Sequence, residues 1–347
     1  MLSHRGGTIL KSIVEQYINR AIPVPSQNLV NDRDLAISSA TIRNEMTFLE
    51  EEGYIIRPHA SAGSVPSDKG YRFYVETLQA IPLPSTQQIR INHLFHQVES
   101  ELEEWLSLAA TLTSQLVQNV AVVAGPKPTN CRLKHLEVVA LQDSLALVVV
   151  VLHGARLRQQ LMTFDRFIPQ PELSALANRL NAIYASLTRR QIMDTKAELS
   201  VAEQQVDDCL RRMMEAEDAQ EQEKAYLDGL HFTLNQPEFR LAPQVLALTE
   251  LVDCRRLLVA ITPDEIDDRR VQVVIGKENR TEAIQNCSVV ITRYGLPEEA
   301  EGVIGVIGPT RMPYARTIST VSYLAAVLSH LMAELYGIKP LDDQYND

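Results

Sequence analysis

A multidomain α+β protein is the fold class this sequence predicts, and three observations predict it. Strand patterns lie at 136–161 and resume only after 255, with a helical, polar and acidic stretch over about 166–250 between them. The first 80 residues are compact and turn-punctuated, and Ala80-Ile81-Pro82-Leu83-Pro84-Ser85 follows as a linker that two prolines stiffen. The chain has 347 residues, more than the roughly 250–300 at which one hydrophobic core stops growing.

Within the first segment, Ile9, Leu10, Ile13, Val14, Tyr17 and Ile18 recur at helical spacing and predict an amphipathic helix. Pro23 and Pro25 end that region, and Ser26 can cap a short second helix starting Gln27-Asn28-Leu29. A third helix opens at Ser38-Ser39, both plausible N-caps, and runs to Glu52. Ile42, Met46 and Leu49 share one of its faces, and Gly53 supplies the stop. Opposite that stripe stand Ala40, Thr41, Arg43, Asn44 and Thr47. Tyr54-Ile55-Ile56-Arg57 then reads as a strand, His59-Ala60-Ser61-Ala62-Gly63-Ser64 as a turn, and Ser67 as the cap of a fourth helix carrying Tyr71, Phe73, Tyr74 and Leu78.

Three helices, a strand and a small-residue loop is the order of a winged helix-turn-helix. The chemistry of the third helix suits nucleic acid. A helix N-terminus offers unpaired N–H groups and a positive dipole to phosphate. Arginine can read guanine O6 and N7 together, asparagine can read adenine, and threonine can pack on the thymine methyl. Periodicity alone accommodates a second reading equally well, in which Arg43 and Asn44 solvate one face of a helical interaction module.

Charge decides little between them. The chain carries a formal −11, but the first 80 residues hold eight Lys/Arg against nine Asp/Glu, so the acidity belongs to the remainder. DNA binding requires locally placed cations rather than a basic total. Cysteines 131, 209, 254 and 287 lie far apart without a C-x-x-C pair, which argues against a zinc knuckle and a disulfide framework. The longest apolar run, Leu145–Leu152, is far short of the roughly 18–20 residues of a membrane span. The N-terminus lacks a hydrophobic region followed by a small-residue cleavage site. A soluble, cytoplasmic protein without membrane contact is expected.

Residues 87–120 read as one long helix. Ile91, Phe95, Val98, Leu102, Trp105, Ala109, Leu112 and Leu116 alternate steps of four and three, a heptad seam that suits packing within the chain or against a second copy. Between Asp194 and Glu223, ten Asp/Glu face Lys196, Arg211 and Arg212, which reads as a solvated helical face with contact to a partner as the alternative. Met213-Met214 at its centre suits either core packing or an adaptable surface. Gly302, Gly305 and Gly308 do not form a Walker or Rossmann fingerprint, and Gly276-Lys277 lacks the rest of a P-loop, so strand and turn roles are favoured. His93 and His96 have no third ligand nearby. Neither G-x-S-x-G nor H-E-x-x-H occurs, so catalysis, metals and cofactors have no support.

Longer stretches resemble a known family. Ala40-Thr41-Ile42-Arg43-Asn44-Glu45-Met46, Leu49-Glu50-Glu51-Glu52-Gly53-Tyr54 and the run Pro58 to Val75 are similar to HrcA, a family of bacterial heat-inducible transcription repressors. So are Gly229-Leu230, Asn235-Gln236-Pro237-Glu238-Phe239, Val274-Ile275-Gly276-Lys277-Glu278-Asn279, Tyr294-Gly295 and the run Gly302 to Arg316. These matches extend in order from about residue 8 to 330. The resemblance implies a winged-helix head over 1–80, with linker and long helix over 81–120. It implies a GAF-like domain in two parts, 121–165 and 251–340, an inserted and largely helical dimerising domain over 166–250, and a tail over 341–347. It further implies a homodimer on an inverted-repeat operator called CIRCE upstream of chaperone operons, kept active by the GroEL-type chaperonin. No enzymatic activity, cofactor or small-molecule substrate is implied. The rival reading makes the GAF-like body a small-molecule sensor with the head as output.

On this reading Ser38, Ser39, Ala40, Thr41, Arg43, Asn44 and Thr47 form the groove-reading face. Arg57, His59, Ser61 and Ser64, with Lys69 and Arg72, would touch backbone or minor groove. Half-sites should lie near an integral number of helical turns apart, each about 10–10.5 bp. Three positions depart from the family pattern. Gly6-Gly7 should make the first helix start late, Pro25 stands where glycine is usual, and Ser64 replaces a usual basic residue of the wing, which should flatten the salt dependence by about one phosphate contact.

Overall fold

The structure is a computed structural model describing residues 2–30, 38–59, 62–79, 81–98, 101–127, 131–153, 156–218, 224–239, 254–262, 270–297 and 300–337. The chain divides into two compact units. Unit 1 is Met1–Gly125, Lys224–Tyr294 and Gly302–His330; unit 2 is Pro126–Glu223, Gly295–Glu301 and Leu331–Asp347.

The N-terminal part of unit 1, here the head, contains α1 (His4–Arg20), α2 (Ser26–Val30), α3 (Ser39–Glu51), β1 (Ile55–Ile56), β2 (Val65–Pro66) and α4 (Asp68–Glu76). Ile9, Leu10, Ile13, Leu29, Ile42, Leu49 and Ile55 are buried at 0–1% exposure and form its centre. Burying a side chain of this size contributes about 1.5–3 kcal/mol. β1 and β2 pair antiparallel, Ile55 opposite Pro66 and Ile56 opposite Val65. The first helix does not start late: Ser3 accepts from the Gly6 N–H at 3.0 Å and the helix begins at His4. Both glycines are buried, and a Cβ on Gly7 would lie 3.1 Å from the Phe73 ring, so close packing keeps them helical.

The long helix expected over 87–120 is two helices, α5 (Ser85–Gln97) and α6 (Leu102–Val117). Val98 and Glu101 are both extended, at ψ 144° and 126°. Glu103 and Glu104 then fall in the first turn of α6, where the helix dipole favours negative charge. Ile91, Phe95, Trp105, Ala109 and Leu112 of the heptad seam are buried inside this chain, so the seam packs within it. His93 and His96 are exposed.

The chain continues through β3 (Val120–Lys127), β4 (Leu133–Gln142), β5 (Leu145–Leu152), β6 (Arg156–Thr163), α7 (Gln170–Tyr184), α8 (Arg189–Asp194), α9 (Val201–Asp218) and β7 (Ala225–Asp228). It ends with α10 (Leu230–Leu234), α11 (Cys254–Ile261), β8 (Gln272–Ile275), β9 (Cys287–Leu296), β10 (Ala300–Pro309) and α12 (Tyr314–Tyr336). A five-stranded sheet in the order β7-β3-β10-β9-β8 is the body of unit 1. Val120, Val122, Cys287, Val289, Ile291 and Ile307 pack on Leu257, Leu258 and Ile261 of α11. Burial pushes the Cys287 thiol up to about 12. From β9, the Ser288 hydroxyl shares a 2.7 Å hydrogen bond with Tyr314. The glycines of β10 serve packing: a Cβ on Gly302 would meet the Tyr294 ring at 2.4 Å, and one on Gly308 would meet Asn119 Oδ1 at 2.2 Å.

α12 is long and apolar enough to cross a membrane by length and composition, although polar residues interrupt its apolar runs. One face of it, with Tyr314, Val321, Leu324 and Leu328, is wholly buried in the fold.

Unit 2 moves a boundary. The strands at 133–163 belong with the helical block, not with the five-stranded sheet, so the first and longest segment of the unit runs from Pro126 to Glu223 rather than from about 166 to 250. β4-β5-β6 form a separate antiparallel sheet. Its inner face, Leu136, Val138, Val148, Val150 and Leu152, packs on Leu173, Leu180, Val206, Leu210 and Met214. Asn181 of α7 accepts from the Leu136 N–H and donates to the Leu136 carbonyl, both at 2.8 Å. Gln170 does the same with Ala140 N–H (2.7 Å) and Val138 carbonyl (2.9 Å), so side chains cover the free edge of β4. The acid-rich stretch is only partly solvated. Asp194, Asp208 and Glu215 are exposed, but Glu203, Asp207 and Glu217 are buried and paired with Arg179, Arg211 and Arg158. Burial raises the affinity of Glu203 for a proton, and the Ser200 N–H with Arg179 outweighs it, holding the carboxyl below its usual range. Met213 and Met214 are core residues.

Candidate nucleic-acid interface

The third helix folds for local reasons. Ser38 is extended at φ −65° and ψ 149°, its hydroxyl accepts from the Thr41 N–H at 3.2 Å, and it lies 2.9 Å from the Thr41 hydroxyl. Ile42, Met46 and Leu49 turn inward at 0%, 3% and 0% exposure. Gly53, at φ +76°, ends the segment in a conformation that favours glycine.

That burial forces the opposite face outward. Ser38, Ser39, Ala40, Arg43, Asn44 and Thr47 are exposed and Thr41 is half-buried. The Thr47 hydroxyl donates to the Arg43 carbonyl at 3.0 Å and is already engaged. Arg43 and Asn44 make no side-chain hydrogen bond or ion pair among the described residues. An arginine and an asparagine thus stand side by side on one solvent face with their donors and acceptors unused.

The ribbon and α4 divide the remaining predicted residues. Arg57 is exposed and pairs with Glu50 at 3.2 Å; His59 is exposed. Ser61 lies outside the described residues. Ser64 is a correction: it is fully buried, its backbone exchanging hydrogen bonds of 2.8 and 2.9 Å with Val24, so its side chain presents nothing to a surface. A Cβ on neighbouring Gly63 would lie 2.5 Å from the Val24 carbonyl carbon, and this close approach is what draws Ser64 inward. Lys69 donates to the Glu52 carbonyl at 2.7 Å and sits 4.2 Å over the Tyr54 ring, where it caps the end of α3.

Arg72 is the second correction. Its guanidinium is turned to the five-stranded domain, Nε donating to Glu278 Oε1 at 2.9 Å and Nη2 to the Val273 carbonyl at 2.7 Å, with Glu278 Oε2 also bound. A guanidinium so occupied is not placed to meet a phosphate. Sequence reasoning missed Phe48 and Ile56, exposed at 43% and 54%. The signal for Phe48 was its phase, four residues beyond Asn44 and off the Ile42, Met46, Leu49 stripe.

An open cleft of about 610 Å³ lies in unit 2, beside Phe164, Arg166, Glu172, Arg179 and Glu203. Its arginines are spoken for, Arg166 by Glu172 at 2.9 Å and Arg179 by Glu203 at 3.2 Å. Among the described residues no cluster of three or more His, Cys, Asp or Glu is placed to hold a metal ion.

Comparison with known proteins points one way. The family described as HrcA protein C terminal domain matches residues 103–318. A heat-inducible transcription repressor HrcA of Dehalococcoides mccartyi (strain ATCC BAA-2266 / KCTC 15142 / 195) is 50% identical over 340 residues, covering 98% of this chain and 99% of that protein. The repressor of the same name from Roseiflexus castenholzii is 41% identical over 347 residues, covering 97% and 96%. A crystal structure described only as a hypothetical protein superposes with a TM-score of 0.58 at 21% identity, covering 96% of this chain and all of that one. That likeness speaks for the fold alone.

Proposed function

This chain belongs to the HrcA family of heat-inducible transcription repressors, and we propose that its head is a winged helix-turn-helix that reads an inverted-repeat operator in double-stranded DNA. It is a repressor of heat-shock genes and not an enzyme. The observation that carries the DNA reading is the outward face of α3, where Arg43 and Asn44 are exposed and, among the described residues, unpaired. The first turn of the same helix turns N–H groups and positive dipole toward a phosphate. Arg43 would address a guanine and Asn44 an adenine, with Ala40, Thr41 and Thr47 against the groove and Ser38 and Ser39 at the backbone. Arg57 and His59 flank this face from the ribbon.

An inverted repeat calls for a two-fold protein. The outer face of the unit 2 sheet supports a homodimer. Val139, Leu141, Leu157 and Leu161 are 37%, 49%, 56% and 58% exposed there. Leu147 lies between Val139 and Leu161 in register, so one apolar row crosses all three strands. Such a patch marks an interface. The five-stranded body is the GAF-like domain of the family reading. Repression works by occluding the promoter of chaperone operons at CIRCE, in the cytoplasm. The GroEL-type chaperonin sustains it by raising the folded, active fraction of repressor through mass action.

Fluorescence anisotropy on an inverted-repeat duplex and a scrambled control, at several salt concentrations, tests this. The wild type should prefer the repeat, and Arg43→Ala or Asn44→Ala should weaken specific binding by about 1–3 kcal/mol. Equal and steeply salt-dependent binding to both duplexes would contradict base readout and leave phosphate attraction only.

A further inference from the structure

The proline-bearing linker is not what holds the head to the body of unit 1. α1 and α4 are fastened at three places. Arg72 grips Glu278 and the Val273 carbonyl, and Glu278 Oε2 also accepts the Ile275 N–H at 2.8 Å, so the carboxylate is itself pinned to β8. One turn earlier on α4, Asp68 Oδ2 accepts the Lys277 N–H at 3.0 Å. Gly276 permits that approach: it sits at φ +54°, and a Cβ there would lie 2.3 Å from Asp68 Oδ2. Third, Arg311 donates to the Ile18 carbonyl of α1 at 3.2 Å while paired with Glu238. Between these points the buried rings of Tyr71 and Tyr314 lie 5.9 Å apart. None of these contacts uses the outward face of α3.

We infer that this junction fixes the angle of the head on the body and thereby selects the spacing of operator half-sites, with Asp68, Arg72 and Glu278 as positioning residues that touch no DNA. The inference rests on the proposed homodimer, with each body held in it, and on the inverted repeat. Heads tethered by the linker alone would swivel to fit half-sites at several spacings. Fastened heads meet only those that match their fixed angle. One added base pair turns one half-site by about 35° and moves it about 3.4 Å relative to the other. A fastened head can follow only by breaking the junction or twisting the DNA.

The test compares binding to inverted repeats whose spacer is lengthened or shortened by one and two base pairs, and to a single half-site. The proteins are wild type, Glu278→Gln, Glu278→Ala and the exchanged pair Arg72→Glu with Glu278→Arg. The wild type should lose about tenfold or more in affinity on a two-base-pair change, and Glu278→Ala about threefold or less. Half-site affinity should be the same in all, which also shows that the heads remain folded. The exchanged pair should recover part of the steep profile. Identical spacer profiles in wild type and Glu278 variants overturn the inference, as does a half-site loss in Glu278→Gln as large as the loss on the repeat. A wild type that does not distinguish repeat from scrambled duplex overturns the functional reading itself, and the inference with it.

Discussion

Arg43 and Arg72 belong to the same small head, on neighbouring helices, and differ in what surrounds them. α3 buries Ile42, Met46 and Leu49 against α1 and α2 and turns Arg43 to solvent, without a side-chain partner among the described residues. α4 turns Arg72 to a carboxylate and a carbonyl of the five-stranded domain. Residue type says that either arginine can bind a phosphate or a base. Position says that one is available and the other is spent on holding the head. A cation is a candidate for nucleic acid only after its intramolecular partners have been counted.

The largest way to break this contrast is to remove what supports α3. Leu49→Ala, at a wholly buried position, should cost about 2–5 kcal/mol of stability and take operator binding with it, as thermal unfolding followed by circular dichroism will report. Next is the face itself, through the loss of about 1–3 kcal/mol expected for Arg43→Ala in specific binding with an unchanged melting temperature. Ser38→Ala removes the N-cap of α3 and should cost about 1 kcal/mol in stability; a full-strength Ser38→Ala melt would mean that water replaces the hydroxyl. Arg72→Ala should show the smallest effect. Its pair with Glu278 is partly exposed, so stability should fall by at most about 1 kcal/mol, and affinity for a single half-site should not move.

Alkaline pH probes the core of the five-stranded domain through Cys287. Burial raises the Cys287 thiol to about 12, above its ordinary value near 9. A group whose proton is held more tightly in the folded state contributes stability that is complete below its unfolded pKa and is lost as pH rises through the folded one. Stability should therefore decline between about pH 9 and 12, and Cys287→Ala should make that decline shallower in denaturant titrations. A slope unaltered by the substitution would assign the loss to the buried tyrosines.

What the sequence made legible was decided within a few residues. The caps Ser38 and Ser67, the stop at Gly53 and the stripe of Ile42, Met46 and Leu49 all depend on neighbours one turn away, and α3 and α4 stand where those signals put them. What it concealed depends on distant chain. Heptad spacing is blind to the extended backbone at Val98 and Glu101, so α5 and α6 read as one helix. Strand periodicity at 133–163 does not say which helices will cover it, and the answer was α7 and α9 rather than the five-stranded domain. Ser64 reads as a loop serine until Val24 binds its backbone on both sides. Arg72 reads as a free cation until Glu278, far along the chain, occupies it. Of the expected interface, the α3 face could be read from sequence because it is a helix surface opposite a core stripe. The α4 contribution could not, because its partner is tertiary.

The measurement that bears most directly on the contrast is a base-substitution scan of one operator half-site by wild type, Arg43→Ala and Arg72→Ala. Arg43→Ala should lose discrimination at one base pair while keeping its preferences elsewhere, and Arg72→Ala should reproduce the wild-type pattern at every position. Discrimination lost in Arg72→Ala and retained in Arg43→Ala would contradict the division of labour between α3 and α4.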